Sequence, residues 1–210
     1  MIIGGIDEAG RGCICGGLFV AGVVGDEEFL RTFNPKDSKK LSEKKRESIY
    51  QLLLAQAISA DDTQSTNISQ QIHFHIVQKD AWEIDKYGLS WALKTAIEEI
   101  LEKLGAFAKE FIIDGNSTFG ARIPSCLDSE ITLKTLIKGD DKNPVIACAS
   151  ILAKVSKDAQ MSELDKLYPQ YALGKHKGYA TALHIQKIKE NGYCPQHRKS
   201  FKISMQDSLF

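Results

Sequence analysis

The sequence has too few cysteines, in the wrong places, for either a disulfide framework or a zinc site. Its five, Cys13, Cys15, Cys126, Cys148 and Cys194, are odd in number and scattered, which fits reduced, packed thiols better than paired ones. No two are spaced Cys-x-x-Cys, which sets a structural zinc site aside. Long apolar runs are also missing: none approaches the roughly 20 residues a membrane helix requires. The opening Met1-Ile2-Ile3-Gly4-Gly5 lacks the basic start of a signal peptide, so the expected location is the cytoplasm. No Gly-x-x-x-x-Gly-Lys-Ser/Thr exists, which excludes a P-loop NTPase, and no Gly-x-Ser-x-Gly marks a nucleophile elbow. There is no excess of charge either: 27 basic residues balance 27 acidic ones, unlike a highly basic nucleic-acid coat protein.

What remains is a chain of 210 residues, 43% hydrophobic, enough for one well-formed core and few enough for one domain with a small appended lobe. The neutral average conceals a gradient. Between Lys154 and Lys202, ten Lys and Arg stand against four acids, a local charge of +6. Such a stretch suits a phosphate backbone; on charge alone it is equally an ordinary set of solvated helix faces.

Ile2–Asp7 reads as a strand, followed by the turn Ala9-Gly10-Arg11-Gly12 and a second apolar run, Gly17–Val24, forming a hairpin with the first. Ser42 caps a helix with Ile49, Leu52 and Leu53 on one face. Gln56–Asp61 reads as a third strand, residues 62–69 as polar turn, and Ile76–Leu104 as a long helix broken near Tyr87-Gly88. Glu110–Asp114 and Ile131–Ile137 are further strands. Lys138–Pro144 is a charged turn, and Val145–Leu167 a strong helix whose small residues Ala147, Ala149, Ser150 and Ala153 let it lie close against a sheet. Gly174–Gly178 is a basic loop and Thr181–Asn191 a last helix. Strands first in a meander, then alternating with helices, indicate a mixed α/β sheet flanked by helices.

Four carboxylates, Asp7, Glu8, Asp114 and Asp140, stand where strands end. One acid in such a place is expected of any strand that stops in a polar loop. Four in one sheet protein can converge at one edge, where they would repel one another unless a cation neutralised them. With oxygen donors alone the ion would be hard, Mg²⁺ or Mn²⁺, and acidic clusters holding two such ions are one way to run phosphodiester chemistry. Gly10-Arg11-Gly12 offers a backbone that a ligand can approach closely; the glycine spacing is not the dinucleotide fingerprint.

The chain resembles the bacterial ribonuclease HII family. The likeness is carried by Gly5-Ile6-Asp7-Glu8-Ala9-Gly10-Arg11-Gly12, Asp37-Ser38-Lys39-Lys40-Leu41-Ser42, Ile113-Asp114-Gly115-Asn116, Lys138-Gly139-Asp140 with Ala149–Val155, His176-Lys177-Gly178-Tyr179 and His197-Arg198-Lys199-Ser200-Phe201, in the family's order from residue 5 to 201. The resemblance implies a ribonuclease H-like fold, a five-stranded mixed sheet flanked by helices, with residues 1–165 as catalytic core and 166–210 as a C-terminal helical extension packed with it. It implies a monomeric endonuclease that hydrolyses the phosphodiester 5′ of ribonucleotides in duplex DNA and cuts RNA–DNA hybrids, leaving 3′-hydroxyl and 5′-phosphate ends. Asp7, Glu8, Asp114 and Asp140 would hold the metal, with Mg²⁺ or Mn²⁺ as cofactor; the adjacent Asp141 falls on a variable position. Gly10, Arg11 and Gly12 would read the ribose 2′-OH, and Tyr179, by spacing alone a core aromatic, would pack on the neighbouring sugar. Lys39, Lys154, Lys177, Arg198 and Lys199 would contact phosphates. The tail residues Gln206, Leu209 and Phe210 resemble a sliding-clamp-binding peptide.

The sequence departs from the family at Cys13 and Ala180, where Pro, and Gly or Pro, are usual, and at Ser90-Trp91-Ala92; no carboxylate is lost. Two other readings remain at this level: another acidic-cluster nuclease of the same superfold, such as a resolvase or integrase, and a nucleic-acid binding module whose acids are surface charge.

Overall fold

The computed structural model describes residues 1–35, 38–57, 71–127 and 130–202, without the side chain of Lys39. Five strands form one sheet: β1 (Ile2–Ala9), β2 (Leu18–Asp26), β3 (His73–Lys79), β4 (Glu110–Asp114) and β5 (Thr132–Leu136), in the order β3-β2-β1-β4-β5. The first three form an antiparallel meander, and β4 and β5 continue the sheet in parallel from β1. The mixed five-stranded sheet expected from the sequence is therefore present. β1 and β2 are nearly continuous apolar runs because both faces of the sheet are covered.

On one face, α4 (Leu89–Leu104) lays Leu93, Ile97, Ile100 and Leu101 against Ile6, Val20 and Val24. On the other lie α1 (Glu27–Arg31), α2 (Glu43–Gln56) and α6 (Pro144–Leu167), which enclose Ile3, Ala21 and Val23 with Leu30, Ile49, Leu53, Val145 and Leu152. α6 starts on Asn143, whose side chain accepts from the N–H groups of Val145 and Ile146, with Pro144 in the first turn. Its first turn lies so close to β1 that a Cβ on Gly5 would sit 2.6 Å from the Ile146 nitrogen. Ala147, Ala149, Ser150 and Ala153 are all buried beneath it, as their small size allows. Among the described residues no helix is long and apolar enough to cross a membrane.

Three expectations need correction. Gln56 is the last residue of α2, and Ala57 makes a single parallel bridge to Ile72; residues 58–61, with the turn expected at 62–69, lie outside the described residues. The third strand is instead His73–Lys79, whose second half falls within the span expected to be the long helix. β3 is an edge strand with only Val77 fully buried, so it lacks the alternation that identifies strands. The helix proper begins after Asp80, where the Glu83 carboxylate accepts from the Asp80 N–H at 2.8 Å, as α3 (Ala81–Tyr87), and breaks at Gly88, φ +89°. Third, the charged turn before α6 closes into one helical turn, α5 (Gly139–Lys142), entered through Lys138 in the left-handed region.

After α6 the chain forms a 3₁₀ turn (Pro169–Tyr171), α7 (Leu173–His176) and α8 (Ala182–Asn191). A third apolar cluster joins this segment to the rest: Ile14 and Cys15 from the β1–β2 loop, Met161 and Leu164 from α6, and Tyr171, Leu173, Ile188 and Cys194.

Candidate active site

Strand parity starts the site. Asp7 pairs with Ala21, on the α6 face, and Glu8 with Val20, on the α4 face. Both reach a cleft at the end of β1, about 500 Å³ in volume, lined also by Gly10, Arg11, Gly12, Ser38, Arg46, Asp114, Ser150, Lys154 and Tyr179. Asp114 ends β4, the parallel neighbour of β1. Asp140 arrives from the first turn of α5, which is drawn in when the Gly139 N–H donates to the Asp114 Oδ1 at 2.7 Å.

Carboxylate oxygens of Asp7, Asp114 and Asp140 lie within 4.8 Å of one another, and Asp7 and Asp140 are buried. Burial, and then the negative charges of Glu8 and Asp114, push the Asp7 carboxyl well above its usual range, against hydrogen bonds from Ser150 and the Glu8 N–H that favour the anion. Three oxygen donors this close together, one of them with its proton affinity raised by burial and neighbouring charge, are a fit for a hard divalent cation with metal–oxygen distances of about 2.0–2.1 Å. Glu8 is not part of that close group. It faces the Arg11 guanidinium at 3.5 Å, and Arg11 also lies 5.0 Å over the Phe119 ring. Asp141 turns away to pair with Lys40 at 2.5 Å.

Tyr179 is brought to the cleft although it is far from β1 in sequence. It is 41% exposed, bridges Cys13 through the backbone, and has the Lys157 ammonium 4.9 Å from its ring. The left-handed Gly178 (φ +86°) permits this approach: a Cβ there would stand 2.6 Å from the Cys15 carbonyl oxygen.

The basic residues are less uniform than their sequence suggests. Lys154 lines the cleft but also pairs with Asp158 at 3.0 Å. Lys177 reaches Ser162 at 3.5 Å, and Lys199 is exposed, its N–H bonded to Asp85. Arg198 requires a correction: it is fully buried, 0% exposed, and so unlike a phosphate contact. Its guanidinium donates to the carbonyls of Gly10 (2.8 Å), Arg11 (3.3 Å) and Gly16 (2.9 Å), clamping the glycine turn from behind. The side chain of Lys39, and Gln206, Leu209 and Phe210 of the tail, lie outside the described residues.

Sequence reading assigned no role to Ser38, Arg46, Ser150 or Lys157. Ser38 and Ser150 share a 3.0 Å hydrogen bond beside Asp7, and Arg46 holds the loop by donating to the Ser38 and Leu41 carbonyls. Lys157, wholly buried, pairs with Asp158 at 2.8 Å and donates to the Lys177 carbonyl. For Ser150 and Lys157 the available signal was polarity on the alanine-rich face of α6, and for Ser38 its place in the block of residues 37–42.

The family model described as Ribonuclease HII matches residues 4–204. A ribonuclease HII of Helicobacter acinonychis is 45% identical over 202 residues, covering 95% of both chains. One of Aliarcobacter butzleri is 42% identical over 214 residues, covering 98% of this chain and 97% of its own. Among solved structures, the PCNA:RNase HII complex from Archaeoglobus fulgidus is similar with a TM-score of 0.72 at 26% identity, covering 97% of this chain and 96% of that one.

Proposed function

The chain belongs to the ribonuclease HII family, a family of ribonuclease H hydrolases, and from that premise we propose that it cuts the phosphodiester 5′ of ribonucleotides in duplex DNA and in RNA–DNA hybrids, leaving 3′-hydroxyl and 5′-phosphate ends. One observation supports this above others: the carboxylates Asp7, Asp114 and Asp140, the Gly10-Arg11-Gly12 turn and Tyr179 belong to a single recess at the end of β1. A carboxylate group alone would serve any nuclease of this superfold. A turn presenting backbone groups beside an exposed ring adds a means of telling ribose from deoxyribose, since the 2′-OH is the group that differs.

Asp7, Asp114 and Asp140, with Glu8 beside them, would hold Mg²⁺ or Mn²⁺. Bound there, such a cation stabilises charge on the scissile phosphate and lowers the pKa of water. The chain's own residues do the rest. Ser150, hydrogen-bonded to Ser38, stands beside the Asp7 carboxyl and favours its anion. Arg198 fixes the carbonyls of the glycine turn, leaving its other groups toward the cleft. Tyr179 offers its ring to the sugar next to the ribonucleotide. Lys154, Lys177 and Lys199, and by its motif Lys39, would meet phosphates. In this reading residues 1–165 are the catalytic core and 166–210 an extension that carries Tyr179.

The tail Gln206-Asp207-Ser208-Leu209-Phe210 is proposed to bind a sliding clamp. Its terminal apolar pair and the Archaeoglobus fulgidus relative solved with PCNA support that reading. Titrating the purified clamp against the full chain and a chain ending at Ser204 tests it, with binding expected of the full chain alone.

Activity is tested by incubating an RNA–DNA hybrid and a DNA duplex containing one ribonucleotide with Mg²⁺, Mn²⁺ or chelator. Cleavage of both with either cation and of neither with chelator is expected. Binding without cleavage in every condition would favour a non-catalytic module.

A further inference from the structure

Behind Tyr179 lies a buried polar chain that the proposed chemistry does not use. The Cys194 N–H donates to His197 Nδ1 at 2.9 Å. His197 Nε2 meets His184 Nε2 at 3.1 Å, and His184 Nδ1 meets the Tyr179 carbonyl at 2.9 Å. Both imidazoles are almost wholly buried. These contacts fix the tautomers. A nitrogen facing an N–H donor carries a lone pair, so His197 has its proton on Nε2 and gives it to His184 Nε2. His184 then has its proton on Nδ1 and gives it to the Tyr179 carbonyl. Every donor in the series has an acceptor, and all three bonds point from Cys194 toward Tyr179.

The same residues, with Cys15, also look like a metal site, since ligand atoms of Cys15, His184 and His197 fall within 4.8 Å of one another. The tautomers argue against it. His197 Nδ1 already accepts a backbone N–H, so its Nε2 could ligate a metal only after losing its remaining proton. A neutral, hydrogen-bonded pair satisfies the same atoms without that cost. Burial holds His184 down to about 4, although its bond to the Tyr179 carbonyl works the other way, so His184 is uncharged near pH 7.

We propose that His184 and His197 are positioning residues that set the place of Tyr179 in the cleft through its carbonyl. This rests on the reading of Tyr179 as a substrate contact. The backbone on either side is held as well, by the Ile14 N–H on the Gly178 carbonyl at 2.9 Å, the Tyr179 N–H on the His176 carbonyl at 3.0 Å and the Lys157 ammonium on the Lys177 carbonyl at 2.9 Å, but none of these reaches the Tyr179 carbonyl. Gly178 is in the left-handed region, and Tyr179 has one cross-loop bridge, to Cys13. The Tyr179 carbonyl takes the Thr181 N–H at 2.8 Å, a bond within the same turn, so His184 is what ties this carbonyl to the interior. His176 stacks on His184 at 4.0 Å, and Tyr171 and Tyr193 edge onto His197 at 4.9 and 5.4 Å, which locks both rings.

The test compares kcat/KM on a duplex with one ribonucleotide and on a uniform RNA–DNA hybrid. His184→Leu, which keeps bulk but donates nothing, is expected to lower the single-ribonucleotide value by about three- to tenfold relative to the hybrid, the worth of one hydrogen bond. His184→Asn, whose amide can donate from the Nδ1 position, is expected to restore most of it, and His184→Gln, whose amide lies at the Nε2 position, is not. The Asn and Gln variants carry the comparison if the Leu variant does not fold. In a Tyr179→Ala background, His184→Leu is expected to leave the ratio unchanged, because the ring it positions is gone. Equal loss on both substrates, or an undiminished effect without the Tyr179 ring, would overturn the inference. So would one equivalent of zinc in the purified protein that is lost in His197→Gln. A wild-type protein that leaves the single-ribonucleotide duplex uncut would sink the functional reading itself, and this inference with it.

Discussion

At the scale of single residues, the site is a balance between buried charge and what neutralises it. Asp7 has its proton affinity raised by burial and by Glu8 and Asp114. A carboxyl raised in the folded state gives its full stability below the unfolded value near 3.8 and loses it as pH rises through the folded value. At pH 7 without a cation, the Asp7 anion therefore destabilises the fold. Asp7→Asn should abolish cleavage, spare substrate binding measured with Ca²⁺ in place of Mg²⁺, and raise the melting temperature in chelator. About 1 kcal/mol of relief corresponds to roughly 2–4 °C at this chain length. A lower melting temperature in chelator would show that Asp7 supports the fold rather than a cation. The role proposed for Tyr179 uses the ring rather than the hydroxyl. Tyr179→Phe should change single-ribonucleotide cleavage little, and Tyr179→Ala should cost roughly 1–3 kcal/mol, as lost stacking does. Unaltered kinetics of Tyr179→Ala on both substrates would remove it from the site.

At the scale of elements, the site depends on how closely α6 approaches β1. Gly5→Ala would place a methyl 2.6 Å from the Ile146 nitrogen, backbone that cannot swing aside. A loss of about 1–3 kcal/mol, as for an overpacked core, is expected from denaturant unfolding, with a fall in activity as Asp140 shifts with α5. An unchanged midpoint would mean that the contact is relieved without cost. Two of the elements that carry the close carboxylates, β1 with Asp7 and β4 with Asp114, were legible. β1, β2 and β4 are apolar runs ending in polar turns, and α6 announces itself with Asn143-Pro144 and a run of small residues. β3 was illegible because an edge strand of mixed polarity abuts a helix start, and α5 because four residues are too few to show a period. The three close carboxylates could be read because each stands at or just beyond a strand end. The burial of Arg198 could not, since its partners lie 182 to 188 positions away and nothing local distinguishes it from the exposed Lys199.

At the scale of the whole molecule, a neutral chain binds a polyanion only if its charge is unevenly placed. The stretch from Lys154 to Lys202 supplies the asymmetry, but part of it is spent internally: Lys157 and Arg198 are buried, and Lys154 and Lys157 share Asp158. Affinity for substrate should fall with salt, and Lys177→Ala and Lys199→Ala should each flatten the log–log slope by about 0.9. Arg198→Ala should instead destabilise the glycine turn. Slopes unchanged in both lysine variants would mean that the duplex lies elsewhere.

In the proposed function cation chemistry and ribose recognition share one cleft, and mapping a single incision to the nucleotide tests both together. A duplex with one ribonucleotide, labelled at each end in turn, is incubated with Mn²⁺ or Mg²⁺ beside an all-DNA duplex of the same sequence. The prediction is one cut immediately 5′ of the ribonucleotide, with 3′-hydroxyl and 5′-phosphate ends, and no cut in the all-DNA duplex or in chelator. A cut on the 3′ side, equal cutting of the all-DNA duplex, or cleavage that persists in chelator would contradict it.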